Sequence, residues 1–218
     1  MENASKALLM AGGVLIALLV ITLVVYFYSD IKEFMGISNK VEVSEQINEF
    51  NKQYDAYYRN NLYGSDILSI VNKVHDYNIK QANYQGYETL ELQVTFKNNY
   101  KDYENNTIIS KKIAYNAETL KQVIDNLQGE IDNYSEKVVV KGNTIAALSG
   151  YRTNELEDFL KRNGITSETR IEQIENDIAK YTSYKSVLST IKGKKFKAEK
   201  FEYSKKNSRI TKMVFTEN

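Results

Sequence analysis

Apolar positions fall into three kinds of pattern along this chain, and each predicts a different element. From Ala7 to Ser29 no residue is charged, and Thr22 is the only polar residue before Ser29 apart from tyrosine. At 1.5 Å per residue, a helix over this stretch is roughly 34 Å long, enough to cross a hydrocarbon core of about 30 Å. It is apolar on every face, whereas a helix of a soluble domain keeps a polar side. Tyr26, Phe27 and Tyr28 close the run, where amphipathic rings favour a membrane boundary, and Asp30, Lys32 and Glu33 stop it. A cleavable signal has a shorter core and a small-residue cleavage site, and Tyr26-Phe27-Tyr28-Ser29-Asp30 offers none. The expectation is an uncleaved transmembrane helix over 7–29 behind an N-terminal tail, 1–6. Ala7/Ala11 and Gly13/Ala17 are small residues four apart, a spacing that also occurs on helix-pairing faces.

The second pattern has helical period. A juxtamembrane connector is expected over 30–41, around Gly36 and Ser38-Asn39, and a polar domain over 42–218. Val43, Ile47, Phe50, Tyr54 and Tyr57 recur at spacings of four and three and predict a helix over 43–62. Gly64 can cap its end and Ser65 can open a second helix over 65–80, with Ile67, Ile70, Val71, Val74 and Tyr77 on its buried face. Asn116 can cap a helix over 117–135 carrying Leu120, Val123, Ile124, Leu127 and Ile131. Asn154 and Glu157 have capping-box spacing for a helix over 155–163 that stops at Gly164. Ile171, Ile174, Ile178, Tyr181 and Leu188 line a helix over 168–192, with Lys185 interrupting the seam.

The third pattern alternates. Leu90, Leu92, Val94 and Phe96 interleave with Glu91, Gln93, Thr95 and Lys97, a strand over 87–97 with one face on a core. Ile108, Ile109 and Ile113 resume over 107–115, which predicts a hairpin with a long loop. Strands over 196–203 and 209–216 flank the polar turn Ser204–Ser208. The segment from Val138 to Gly150 reads equally as a short strand or as helix. The expected class is α+β: an N-terminal transmembrane helix, then amphipathic helices on an antiparallel sheet of three or four strands ending in a C-terminal β-hairpin.

Composition narrows the chemistry. The chain has 218 residues, net charge +1, 17 Tyr and no Cys, Pro or Trp. Without Cys there are no disulfides, thiolate metal sites or Cys nucleophile. His75 is the one histidine, placed on the second helix, and one imidazole does not make a metal site. Leu148-Ser149-Gly150 lacks the first glycine of a nucleophile elbow, and no phosphate-binding glycine loop is present. Glu172, Glu175 and Asp177 sit opposite the apolar stripe of their helix, where solubility places acids. No catalytic, cofactor-binding or metal residue is nominated, and no cofactor is expected.

Charge is unevenly spread. Residues 192–212 hold nine bases and two acids, a surplus of seven, against 19 bases and 24 acids over 30–191. The candidate contact residues for an anionic polymer are Lys194, Lys195, Lys197, Lys205, Lys206, Arg209 and Lys212, with wall polymer or lipid head groups as the partner and nucleic acid not expected. The competing reading is lysine guarding an exposed β-edge against aggregation. Asn105-Asn106-Thr107 and Asn133-Tyr134-Ser135 match the glycosylation sequon, a short pattern frequent by chance in an Asn-rich chain.

Glu2-Asn3-Ala4-Ser5-Lys6-Ala7-Leu8-Leu9, Tyr63-Gly64-Ser65-Asp66-Ile67-Leu68 and Arg209-Ile210-Thr211-Lys212-Met213-Val214-Phe215 resemble a group of uncharacterised single-pass proteins of Gram-positive, clostridia-type bacteria. The resemblance implies a bacterial source and an anchored polar domain, and carries no activity. The layout is also similar to type IV pilins and pseudopilins, although the acid that follows a pilin cleavage point is missing between Ala7 and Ser29.

Flanking charges nearly tie, with Lys6 and the α-amine on one side and Lys32 and Lys40 on the other. The usual bacterial signal-anchor layout places the large C-terminal domain outside the plasma membrane. The expected role is therefore a non-catalytic structural or interaction protein of the cell envelope, with the bilayer as partner through 7–29 and protein partners through helical faces. A pilin-like filament or secretion subunit and a membrane-bound enzyme using carboxylates are the alternatives.

Overall fold

The computed structural model describes residues 2–82 and 88–218; within these, the side chains of 2–9, 29–30, 33–43 and 82 are outside the description. Two compact units divide the chain, Met1–Asn51 and Lys52–Asn218.

Helix α1, Glu2–Asp55, accounts for the first unit and runs four residues into the second. The expected connector over 30–41 is therefore helical. The chain has no proline to break it, and a single Gly36 costs only about 1 kcal/mol relative to alanine. The apolar segment Met10–Tyr28 has a mean hydropathy of 2.6 and none of it is buried. The helix expected over 43–62 is the end of α1 and stops at Asp55, where Tyr57 and Tyr58 donate to the carbonyls of Tyr54 and Asp55 in a turn.

In the second unit the chain forms strand β1 (Leu62–Tyr63), helix α2 (Gly64–Ala82), strand β2 (Glu91–Thr95) and the short strands β3 (Tyr100–Lys101), β4 (Thr107–Ile109) and β5 (Ala114–Tyr115). Tyr87, the expected start of the β2 strand, lies outside the described residues. Helix α3 (Ala117–Lys137) follows, then strands β6 (Val139–Val140) and β7 (Asn143–Thr144) and helices α4 (Ile145–Leu148), α5 (Thr153–Arg162) and α6 (Glu168–Gly193). Strands β8 (Lys195–Tyr203) and β9 (Ile210–Glu217) end the fold. The ambiguous Val138–Gly150 region is both things at once: a two-residue hairpin turning through Lys141 and Gly142 at positive φ, then a short helix.

The main sheet has five strands in the order β1-β8-β9-β2-β5. β8 and β9 form the expected antiparallel hairpin, but β2 runs parallel to β9, so the sheet is mixed rather than antiparallel. The strand expected over 107–115 is split. β4 pairs with β3, and β5 pairs with β2 at Val94↔Tyr115 and Thr95↔Ala114. A turn at Ser110–Ile113 separates them, held by Ile113 N–H donating to the Ser110 carbonyl and Lys111 N–H to the Asn99 side chain.

Paired residues on adjacent strands share a face. Leu92, Val94, Met213 and Phe215 therefore face one side with Phe196 and Phe201, where α2, α3 and α6 supply Ile70, Val71, Leu120, Leu127, Ile174 and Leu188. Phe96 sits at the centre, edge-to-face with Tyr100, Tyr115 and Phe196 at 5.8, 5.8 and 5.5 Å. Gly64 is needed for approach rather than for a left-handed cap: a Cβ there would collide with the Ile191 carbonyl, and its N–H donates to Lys194 O at 2.8 Å.

Among the described residues two acids are buried. Asp177 faces inward instead of into solvent, because α6 packs on α3 there and Lys137 reaches it at 3.3 Å. Glu217 is 1% exposed and accepts from Lys97 N–H at 2.8 Å, Asn98 Nδ2 at 3.1 Å and the Tyr100 hydroxyl at 2.7 Å. Removing its carboxylate would leave the buried Tyr100 hydroxyl and two part-buried donors without this acceptor. Glu217→Ala is expected to lower unfolding free energy by about 3 kcal/mol in urea titration. A loss below about 1 kcal/mol would show that water replaces the carboxylate without cost.

Candidate interaction surface

The sheet face away from the helices carries the odd-numbered positions of β2 and their partners. Register places Glu91 beside Lys212 beside Glu202, Gln93 beside Val214 beside Lys200, and Thr95 beside Thr216 beside Lys197. The bases on this face are not free. Lys212 pairs with Glu91 at 3.1 Å, Lys200 with Glu202 at 2.8 Å and Lys197 with Glu199 at 2.9 Å. Lys200 holds the Glu202 carboxyl below its ordinary range, through a hydrogen bond first and charge second. Alternating charge of this kind favours a solvated face over one that collects anions.

The other nominated bases are scattered. Lys194 approaches buried Glu217 at 3.8 Å. Lys195 Nζ lies 3.2 Å from the centroid of the Tyr63 ring, and its hydrogen bond and charge lower the phenol's pKa. Arg209 stacks over Tyr77 at 5.1 Å. Lys205 and Lys206 occupy the exposed tip of the β8–β9 turn and form no ion pair among the described residues. The surplus of seven charges therefore does not make one basic face. Its solvated part is the turn tip, together with exposed Lys192.

The boundary aromatics Tyr26, Phe27 and Tyr28 are 63, 58 and 60% exposed, and Lys32 lies over the Tyr28 ring at 5.2 Å. His75 is half-buried on α2, and no cluster of three or more His, Asp or Glu among the described residues has the geometry of a metal site.

A groove that the alternation alone did not reveal lies at the open edge of β2. It encloses about 500 Å³ between β2 and the start of α3, and its walls include Asn78, Glu91, Gln93, Asn116, Glu118 and Lys212. Asn116 and Thr119 cap α3 reciprocally, the Asn116 Oδ1 accepting from Thr119 N–H at 2.8 Å and Thr119 Oγ1 from Asn116 N–H at 3.1 Å. Asn78 reaches across from α2, its Nδ2 donating to Leu90 O at 2.9 Å and its Oδ1 accepting from Leu90 N–H at 2.8 Å. The signal for this contact was the polar Asn78 between Tyr77 and Ile79 near the end of an amphipathic helix.

Compared with models of protein families, with curated proteins and with solved structures, the chain matches none.

Where β8 passes the end of α1, phenols cluster. Tyr58 and Phe201 are 4.8 Å apart, and Tyr57 lies beside Lys73. Burial pushes the Tyr54 hydroxyl up to about 12, with neighbouring Tyr77 adding to the shift. A phenol with a raised folded-state pKa stabilises the fold fully below its unfolded value, and that contribution is lost as pH rises through the folded value. Alkaline unfolding is expected to begin above pH 10 and to continue through about pH 12. Tyr54→Phe should move the transition to higher pH in a circular-dichroism titration; an unmoved transition would reject burial of this hydroxyl as the cause.

Proposed function

We propose that this chain is a single-pass protein of a bacterial plasma membrane, with residues 7–29 in the bilayer and its C-terminal domain outside the cell, acting through contacts rather than catalysis. The observation that carries this reading is Met10–Tyr28: nineteen residues of apolar helix, none of them buried, in a chain whose second unit has its own core. Water strongly disfavours such a segment and a bilayer accommodates it. The flanking Tyr28–Lys32 stack suits the head-group region, where rings and lysine stems keep one end wet. Helical faces of the domain and the turn bearing Lys205 and Lys206 are the contact surfaces, the latter toward anionic wall polymer or lipid head groups.

One observation favours a second reading, a pilin-like filament or secretion subunit: α1 continues unbroken from Glu2 to Asp55. A mature chain beginning inside the apolar segment, read by mass spectrometry, would support it; an intact N-terminal region would reject it.

Protease added to intact cells is expected to remove the C-terminal domain. Protection until lysis would place the domain in the cytoplasm and overturn the orientation. Replacing Lys194, Lys195, Lys205 and Lys206 together by Gln is expected to weaken binding to anionic polymer about tenfold at low salt. Most of that loss should come from Lys205 and Lys206, and unchanged binding would reject the polymer as partner.

A further inference from the structure

The two oxygens of buried Glu217 are engaged differently. Oε2 accepts from Lys97 N–H at 2.8 Å. Oε1 accepts from the Tyr100 hydroxyl at 2.7 Å and from Asn98 Nδ2 at 3.1 Å, and Lys194 Nζ lies 3.8 Å from the same atom. An amine and a carboxamide nitrogen thus share one carboxylate oxygen, and about 7 Å is the furthest apart that the two nitrogens can be. The backbone fixes where each side chain starts. Lys194 N–H donates to Thr190 O and Ile191 O at the end of α6, and its carbonyl accepts from Gly64 N–H at 2.8 Å. Glu217 lies opposite Phe196 in β9, and Asn98 follows β2 on the other side of that strand. The Lys194 side chain is 39% exposed and its stem is flexible, so the amine is free to move toward the carboxamide.

We propose that Lys194 and Asn98 join in an intramolecular isopeptide bond, with Glu217 carrying the proton between them. Glu217 Oε1 takes a proton from the Lys194 ammonium. The freed amine attacks Cγ of Asn98 and forms the new N–C bond. Glu217 then gives its proton to Nδ2, the Cγ–Nδ2 bond breaks, and ammonia leaves. The proton that the attacking nitrogen sheds goes with it as ammonium. Glu217 ends as the carboxylate it began as, and nothing is oxidised or reduced. The hydrogen bond from Nδ2 to Oε1 already places the leaving group on the atom that must protonate it. Holding the reacting groups on one buried oxygen supplies the orientation that a lysine and an asparagine in water lack.

Tyr100 is a positioning residue. Burial first, and its hydrogen bond to Glu217 second, push its hydroxyl pKa up, so the phenol keeps its proton and holds Oε1 in place. The bond ties the end of β2 to the start of β8 across β9. The chain between Asn98 and Lys194, which carries α3 through α6, becomes a closed loop that denaturant does not open. The proposal goes beyond the anchored-contact reading, and it stands whether or not α1 sits in a bilayer.

The test is mass spectrometry of the full chain purified in detergent, intact and after trypsin. The intact protein is expected about 17 Da below the mass of its sequence, the mass of one ammonia. Trypsin should release Asn98–Lys101 joined to Gly193–Lys195, because an acylated Lys194 is no longer cut. Lys194→Arg, Asn98→Ala and Glu217→Gln should each restore the full mass. The first two keep the buried carboxylate, so the test holds even where Glu217→Gln fails to fold. Separate peptides of ordinary mass from the unsubstituted chain, or a joined pair that persists in Glu217→Gln, would overturn the proposal. So would a deficit of about 17 Da retained by Lys194→Arg, which would place the lost ammonia in a succinimide at Asn163-Gly164 instead.

Discussion

The constraint behind everything proposed for this protein is an apolar helix, Met10–Tyr28, none of which is buried among the described residues. Leu, Ile, Val and Phe each favour insertion into a bilayer by roughly 0.3–0.6 kcal/mol at mid-span, whereas a single charged side chain there costs roughly 2.5–3.5 kcal/mol. A run free of charge from Ala7 to Ser29 collects the first term many times and never meets the second. The same run in water would leave residues such as Val14, Leu15 and Ile16, more than 60% exposed, without partners. The proposed location, contact role and orientation all build on this segment, while the second unit has a core of its own.

Within that second unit the last strand is the organising element. β9 lies between β8 and β2, and its last residue, Glu217, gathers donors from Lys97, Asn98 and Tyr100. The sheet is therefore completed by contacts between residues more than a hundred positions apart. Such pairing is costly in loop-closure entropy and is recovered only when Phe96, Phe196 and Phe215 pack together. The Asn98 and Tyr100 contacts also explain how a carboxylate can be buried at the end of β9.

Local pattern revealed local structure and little else. The helical stripes of α2, α3 and α6 and the β8–β9 hairpin follow from period and turn chemistry, because burial of one face writes itself into nearby residues. Pairing across the chain leaves no such mark. Leu90, Leu92 and Val94 say that one face of β2 is buried, but not that β9 runs parallel to it. The connector around Gly36 was misleading for a different reason: one glycine and a polar neighbour weaken a helix without ending it, and no proline is present to do so. The basic surplus at 192–212 was legible as a count but not as a surface. Only the fold brings Glu91 to Lys212 and Tyr63 to Lys195. Asp177 and Glu217 were hidden likewise, since an acid's burial depends on which donors arrive from elsewhere.

The bilayer is thus the premise to test before any partner is sought. Alkaline carbonate extraction of membranes from cells making the full chain, followed by intact-mass measurement, tests it most directly. The protein is expected to stay in the membrane pellet with Met10–Tyr28 still attached to the domain. Release of the domain into the supernatant, or a mature chain beginning beyond Tyr28, would contradict it.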